Sequence, residues 1–536
     1  MSAPLLVRRS SFRIVAVVVG LVALVGVGAS GSVARAATVI VTTGSGPVEG
    51  LATPTMTEFL GVPFAAPPTG DLRWQPPQPA VPWTTPRDAT VFGNHCPQVP
   101  SDFGLPSDTE DCLVLNVYVP VRHGFPSDSR RNRPVMVWIH GGAFSVGESD
   151  VYDPTRLVAQ DVIVVTINYR LGALGFLAHP ALSAESPAGI SGNYGLLDQQ
   201  AALQWLQDNI AAFGGNPRKV TIFGESAGGF SVHAHLVSPL AAGLFQHAIV
   251  ESGAFFTQPT LAAAETTGSN FAIAVGCSDQ TAACLRAVPV DQVLANWGTG
   301  LTSTTPVIDG VVIPEPLRNA FASGHFNRVP IIEGSNQDEF RLFVALLYDL
   351  AGGPLAADQY DAAVASLLQL PLNFAQAIDS HYPIATYGSA DLALAALATD
   401  AAFACNAQAV AHNMSRFVRT YGYEFADENA PPILPPVSFP YGAAHGLEIQ
   451  YLFNLPAQLN SPPLTSDQQQ LASYMVKYWT RFARSGKPRV IHAPRWPKQS
   501  NDSLLSLQAP TPQPKTRSNF NLDHQCSTLW NGLLGN

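Results

Sequence analysis

The sequence predicts an α/β fold, with a large, mostly parallel central sheet flanked by helices and carrying helical insertions. Three observations point to it. Short apolar runs recur without polar alternation, which is how strands read when both sheet faces are covered. Segments of helical spacing lie between them. Glycine-containing turns stop two of the runs abruptly, at the carboxyl strand ends where the reactive groups of such sheets gather.

Val135-Met136-Val137-Trp138-Ile139 is the first run, ended by His140-Gly141-Gly142. Val162-Ile163-Val164-Val165-Thr166-Ile167 is the second. Gln199 to Ile210 has helical spacing, with Ala202, Leu203, Leu206 and Ile210 on one face. Val220-Thr221-Ile222-Phe223 and Ala248-Ile249-Val250 are further strands. Between residues 255 and 430 the chain turns Ala/Leu-rich and helical, with Val329 to Gly334 as one more core strand. A strand follows around Arg419 to Phe425, and Met475 to Arg484 forms an amphipathic helix. Pro-rich pieces such as Pro76-Pro77-Gln78-Pro79 read as surface loops. Length alone allows about two to four domains. No repeat or long linker divides the chain, however, so residues 37–536 read as a single domain with insertions.

Of the 536 residues, 46% are hydrophobic and 13% charged, which excludes a disordered chain. Arg8, Arg9 and Arg13 precede an apolar stretch from Ile14 to Ala29, and Ala34-Arg35-Ala36 offers small residues at a cleavage point. This describes a secretory signal peptide over residues 1–36. The apolar run is shorter than the roughly 20 residues of a bilayer-spanning helix, so no stable membrane insertion is expected after cleavage. Removing the leader's four Arg from 29 basic residues leaves 25 against 39 acidic ones, a net charge of −14. Nucleic acid and anionic lipid are poor partners for such a chain. All six Cys lie beyond the leader, and an even number in an exported protein suggests disulfides.

The strongest chemical signal is Gly224-Glu225-Ser226-Ala227-Gly228, directly after the strand Val220 to Phe223. Flanking glycines permit a sharp strand-to-helix turn that lifts the serine to the top of the sheet. A serine is a weak nucleophile near neutral pH and needs both a base and an oxyanion site. The turn His140-Gly141-Gly142-Ala143-Phe144 is of the kind that supplies backbone N–H donors to an oxyanion. His233 and His235, two apart on the following helix, point to different faces and read as packing residues. In α/β-hydrolases the chain order is nucleophile, acid, histidine. His445, on the small-residue loop Tyr441-Gly442-Ala443-Ala444-His445-Gly446, suits the base. For the acid, order alone leaves Asp338 and Glu339 open.

These residues resemble the type B carboxylesterase family, the carboxylesterase, cholinesterase and fungal lipase group of α/β-hydrolases. The resemblance covers almost the whole chain after the leader. It runs through Phe59-Leu60-Gly61-Val62-Pro63-Phe64-Ala65, Glu110-Asp111-Cys112-Leu113-Val114-Leu115-Asn116-Val117-Tyr118 and Asn168-Tyr169-Arg170-Leu171-Gly172. Gly195-Leu196-Leu197-Asp198-Gln199 and the long stretch from Phe213 to Gly228 continue it. The resemblance implies Ser226 as nucleophile, Glu339 as acid and His445 as base. The backbone N–H groups of Gly142, Ala143 and Ala227 are the implied oxyanion donors. The implied disulfides are Cys96–Cys112, Cys277–Cys284 and Cys405–Cys526, the same as sequential pairing.

The chain departs from the pattern at Phe340, where the family usually has Gly, and at Val114. No Trp lies between Cys96 and Cys112, where cholinesterases keep the aromatic that stacks on choline. That loop carries Asp102, Asp108, Glu110 and Asp111, which makes a poor apolar lid for a lipase. The expectation is an exported serine carboxylesterase acting on small-molecule esters through an acyl-enzyme, with no metal or cofactor. A lipase, an amidase and a non-catalytic adhesion relative are the alternatives, and the last is disfavoured because both nucleophile and base are present.

Overall fold

The computed structural model describes residues 37–121, 132–253, 258–298, 303–456 and 461–534, so the leader lies outside it. Thirteen strands among the described residues share one sheet. They are β1 (Thr38–Thr42), β2 (Pro47–Ala52), β3 (Met56–Pro63), β4 (Arg87–Asp88), β5 (Val114–Pro120), β6 (Arg133–Ile139) and β7 (Ile163–Ile167). They continue as β8 (Gly215–Glu225), β9 (His247–Glu251), β10 (Ile331–Asn336), β11 (Thr420–Phe425), β12 (Ser503–Leu507) and β13 (Gln513–Thr516). Their spatial order is β1-β2-β3-β5-β7-β6-β8-β9-β10-β11-β12-β13, with β4 beside β2.

From β7 through β12 every neighbour is parallel, as the apolar runs predict. The two flanks are antiparallel: β1 to β3, β5 and β13. Chain hydrophobicity explains the division. β6 and β7 are buried at every position, whereas β1 and β13 are largely exposed. Because side chains alternate across a strand, Met136, Trp138, Phe223 and Ile249 join the core on one face. Val135, Val137, Ile222 and Val250 join the core on the other.

Helices cover both faces. The helix Tyr194–Asn209 begins five residues before the predicted segment Gln199 to Ile210 and ends one residue short of it, where Ile210 opens a tighter turn. Ser466–Ser485 begins at a capping box between Thr465 and Gln468 and buries Met475, Trp479 and Phe482. One helical stretch, Ala390–Ser415, is long and apolar enough to cross a bilayer, yet 78% of its apolar window is buried inside the protein. It is a core helix. Behind the Asn168-Tyr169-Arg170 motif, Arg170 meets buried Asp198 through Nε and one terminal nitrogen at 2.8 and 2.7 Å.

Three disulfides join Cys96 to Cys112, Cys277 to Cys284 and Cys405 to Cys526. The last spans 121 residues, against 16 and 7 for the others. Near it, His524 sits between Asp400 and Glu424 at 2.6 and 2.9 Å. Burial alone would lower its pKa, but the two carboxylates push it up to about 10, so the ring is a fixed cation. If cross-links act by constraining the unfolded chain, replacing Cys405 and Cys526 by Ala costs about 5 kcal/mol, and Cys277 with Cys284 about 2 kcal/mol. Chemical unfolding of the two variants should rank them in that order; equal losses would contradict it.

Candidate active site

The nucleophile candidate stands where β8 gives way to the helix Ala227–Val237. Ser226 has φ 58° and ψ −121°, a left-handed conformation that a non-glycine residue adopts only when its surroundings enforce it. The enforcement is visible on both sides. A Cβ at Gly224 would lie 2.6 Å from the Ile139 carbonyl, and one at Gly228 only 1.9 Å from it. Only hydrogen atoms fit there. The Ser226 amide donates to the Glu251 carbonyl at 2.9 Å, tying the elbow to β9.

The second turn packs directly against the elbow. A Cβ at Gly141 would lie 3.0 Å from Cβ of Ser226. Gly142, Ala143 and Phe144 all have positive φ, at 103°, 53° and 57°. The peptide N–H groups of Gly142 and Ala143 lie in this turn. With the first amide of the helix, Ala227, they donate to no protein acceptor among the described residues. The turn is braced from outside: Ser145 Oγ meets Thr304 Oγ1 at 2.9 Å, and Trp297 Nε1 donates to the same hydroxyl at 2.8 Å. His140 is stacked on Tyr169 and burial lowers its pKa to about 4, so it is neutral and structural.

The loop after β10 carries both acid candidates, and they have different partners. Glu339 is fully buried; Oε1 accepts from the Asn336 amide at 2.7 Å and Oε2 lies 2.5 Å from His445 Nδ1. The His445 amide also donates to the Glu339 carbonyl at 3.2 Å. Asp338 instead accepts from the Ala443 amide at 2.9 Å and pairs with Arg341 at 2.8 Å, securing the loop that carries the histidine. Phe343 and Phe403 pack on the imidazole at 4.9 and 5.0 Å.

The other ring nitrogen, Nε2, lies 3.1 Å from Oε1 of Glu225, the residue just before Ser226. The two atoms are not aligned for a hydrogen bond, and neither has another protein partner. The imidazole thus bridges the acid loop and the strand end that bears the serine. Burial acts to lower the His445 pKa, but Glu225 and Glu339 outweigh it and the net direction is up.

A set of buried glutamates surrounds this ring, and only its motif positions were visible in the sequence. Glu225 pairs in register with Glu251 across β8 and β9. Burial raises Glu225 to about 7, with His445 opposing and Glu339 adding. Burial raises Glu251 to about 8, although Trp479 Nε1 donates to it at 2.8 Å. Glu448 is raised further by burial and by the charges of Glu225, Glu339 and Glu251, while Asn336 Nδ2 donates to it at 2.5 Å. An acid closing an otherwise apolar strand is the signal that exposes Glu225 and Glu251.

His233 and His235 are buried away from this ring, against Glu333 at 2.9 Å and Gln199 at 2.8 Å. One cluster with metal-like spacing occurs among the described residues: His95, Glu148 and Asp150. There His95 faces Asp150 through Nε2 at 2.9 Å and Glu148 through Nδ1 at 3.3 Å. The Asp150 hydrogen bond, aided by the charges of Asp150 and Glu148, raises the His95 pKa against the effect of burial.

A profile described as the carboxylesterase family matches residues 37–527. The chain belongs to that family. Carboxylesterases of this kind are serine hydrolases of carboxylic esters, and so is this protein. It is similar to the cocaine esterase of Homo sapiens, 37% identical over 82% of this chain and 81% of that one. It is also similar to the para-nitrobenzyl esterase of Bacillus subtilis (strain 168), 37% identical over 87% of this chain and 94% of that one. A solved thermophilic PNB esterase superposes with a TM-score of 0.76 at 33% identity, covering 90% of this chain and 99% of that one.

If His445 is the general base, its pKa, raised by Glu225 and Glu339, should place the acidic limb of the activity profile above about pH 6.5. Glu225→Gln removes a negative charge beside the imidazolium, so the limb should move to lower pH. A kcat/KM profile for both proteins checks this; an unmoved limb would show that the two groups do not interact.

Proposed function

We propose that Ser226, His445 and Glu339 act as one relay in an exported carboxylesterase. The observation that carries this reading is the 2.5 Å contact between Glu339 and His445 Nδ1, on a ring whose Nε2 faces the strand end bearing Ser226. Glu339 fixes the ring orientation and favours the imidazolium. His445 Nε2 then accepts the Ser226 hydroxyl proton as Oγ attacks the ester carbonyl carbon.

The carbonyl oxygen becomes an oxyanion, received by the N–H groups of Gly142, Ala143 and Ala227. Each such donor contributes roughly 3–4 kcal/mol to the transition state. Collapse of the tetrahedral species breaks the bond to the alcohol oxygen, which leaves with the proton held by His445. Water attacks the acyl-Ser226 ester next and gives a proton to His445. The acid departs as the proton returns to Oγ, so one ester and one water yield one acid and one alcohol. The unpartnered amides and the neutral His140 support this assignment of the turn.

The relatives are esterases by name, which favours esters over amides. Three disulfides are consistent with an extracellular protein. With the leader motif they support cleavage after Ala36 and a single catalytic domain over residues 37–536.

Ser226→Ala should lower kcat on p-nitrophenyl acetate by about 10⁴–10⁶-fold. Glu339→Gln should lower it by about 10⁴-fold, and Asp338→Asn far less, with folding followed by thermal melting. A folded Ser226→Ala protein turning over at the wild-type rate would remove the serine from the mechanism, and the reverse ranking of the two acid variants would make Asp338 the acid.

A further inference from the structure

A cavity of about 500 Å³, within the size range of small-molecule sites, has the sequence neighbour of Glu339, Phe340, in its wall. Phe176, Trp297, Val307, Phe340, Leu368 and Trp530 contribute to its wall. None of the described residues lining it carries an ionisable side chain. The wall is attached to both halves of the site. Trp297 donates to Thr304, which is bonded to Ser145 of the turn that presents the Gly142 and Ala143 amides. Phe176 packs 4.9 Å from Phe144 of that turn. Phe340 directly follows Glu339, and its amide is anchored to Thr399 Oγ1 at 2.9 Å. Its ring lies 4.9 Å from Phe343, which in turn touches the His445 ring.

We propose that this cavity receives one uncharged, apolar arm of the ester and that Phe340 is the residue setting its depth. This rests on the reading of Ser226 and His445 as nucleophile and base. The placement gives the reason. A carbonyl held between Ser226 and the oxyanion turn has its substituents beside the groups that build the cavity wall. Phe340 follows the acid in sequence and is 2% exposed. Its ring packs on Phe343 and Phe403, the two rings that also pack on the His445 imidazole, so a shift of the Phe340 ring disturbs the packing around the relay. An arm entering the cavity displaces water from apolar surface, which favours each added methylene until the ring is reached. A charged arm finds no counter-ion there and loses its hydration.

The experiment compares wild type, Phe340→Ala, Phe340→Leu and Ala402→Phe, with thermal melting to establish folding. Ala402 also lines the cavity, so a larger side chain there adds bulk without changing the acid loop's own sequence. Two series are used: p-nitrophenyl acetate, butyrate, octanoate and decanoate, and butyrate esters of ethanol, butanol and octanol. The readout is the ratio of kcat/KM for long over short arms within each protein. Phe340→Ala should raise that ratio about tenfold in one of the two series, with Phe340→Leu between, and Ala402→Phe should lower it. A p-nitrophenyl monoester of a dicarboxylic acid should be at least about tenfold poorer than the neutral ester of equal length in every protein. Unchanged ratios in both series, in whichever of these variants fold, would overturn the proposal. Failure of the wild type to hydrolyse butyrate through Ser226 would instead overturn the reading on which it rests.

Discussion

The site depends on one steric constraint, the contact between the end of β6 and the elbow after β8. Ile139 pairs with Gly224 in register, and its carbonyl fills the space where side chains at Gly224 and Gly228 would stand. That contact holds Ser226 at a positive φ and presses Gly141 against it. The proposed nucleophile and the amides proposed for its oxyanion therefore stand on two turns packed directly against each other. Any methyl group added at Gly228 must push the two strand ends apart, and the geometry of both turns goes with it.

The histidine reaches these turns by a different route, through electrostatics and not backbone packing alone. Its ring is held at one nitrogen by Glu339 and faces Glu225 at the other. Four glutamates lie around or beneath it, and full ionisation of all four in a buried place would be prohibitive. The raised pKa values of Glu251 and Glu448 show how the fold manages the problem: burial favours the protonated form of the acids that lack a cation, while Glu225 and Glu339 face the imidazole. Negative charge is thereby concentrated near the ring that has to become positive.

The parallel centre of the sheet was legible because strands buried on both faces leave unbroken apolar runs, as in Val135 to Ile139 and Val162 to Ile167. The antiparallel flanks were not. Pro47–Ala52 and Gln513–Thr516 are polar, short or partly exposed, and nothing in their composition separates them from loops. The strand Val114–Pro120 was quoted only as part of a motif, since periodicity cannot distinguish a short buried strand from other apolar text. Ser226 stood out through its glycines and His445 through its loop. Chain order could not choose between Asp338 and Glu339, because adjacent residues differ only in the direction they point. The structure gives them separate partners, the Ala443 amide and the imidazole. The pairing of Glu225 with Glu251 could emerge only once β8 and β9 were laid side by side.

The longest cross-link has a consequence for how the centre is assembled. His445 lies inside the covalent ring closed by Cys405 and Cys526, while Ser226 and Glu339 lie outside it. Oxidation of that thiol pair thus curtails the wandering of the very segment that must deliver the imidazole. The nucleophile's half is shaped by glycine contacts that need no redox chemistry. The two halves are therefore constrained differently: one by close backbone packing alone, and the other also by a covalent bond that depends on oxidation of Cys405 and Cys526.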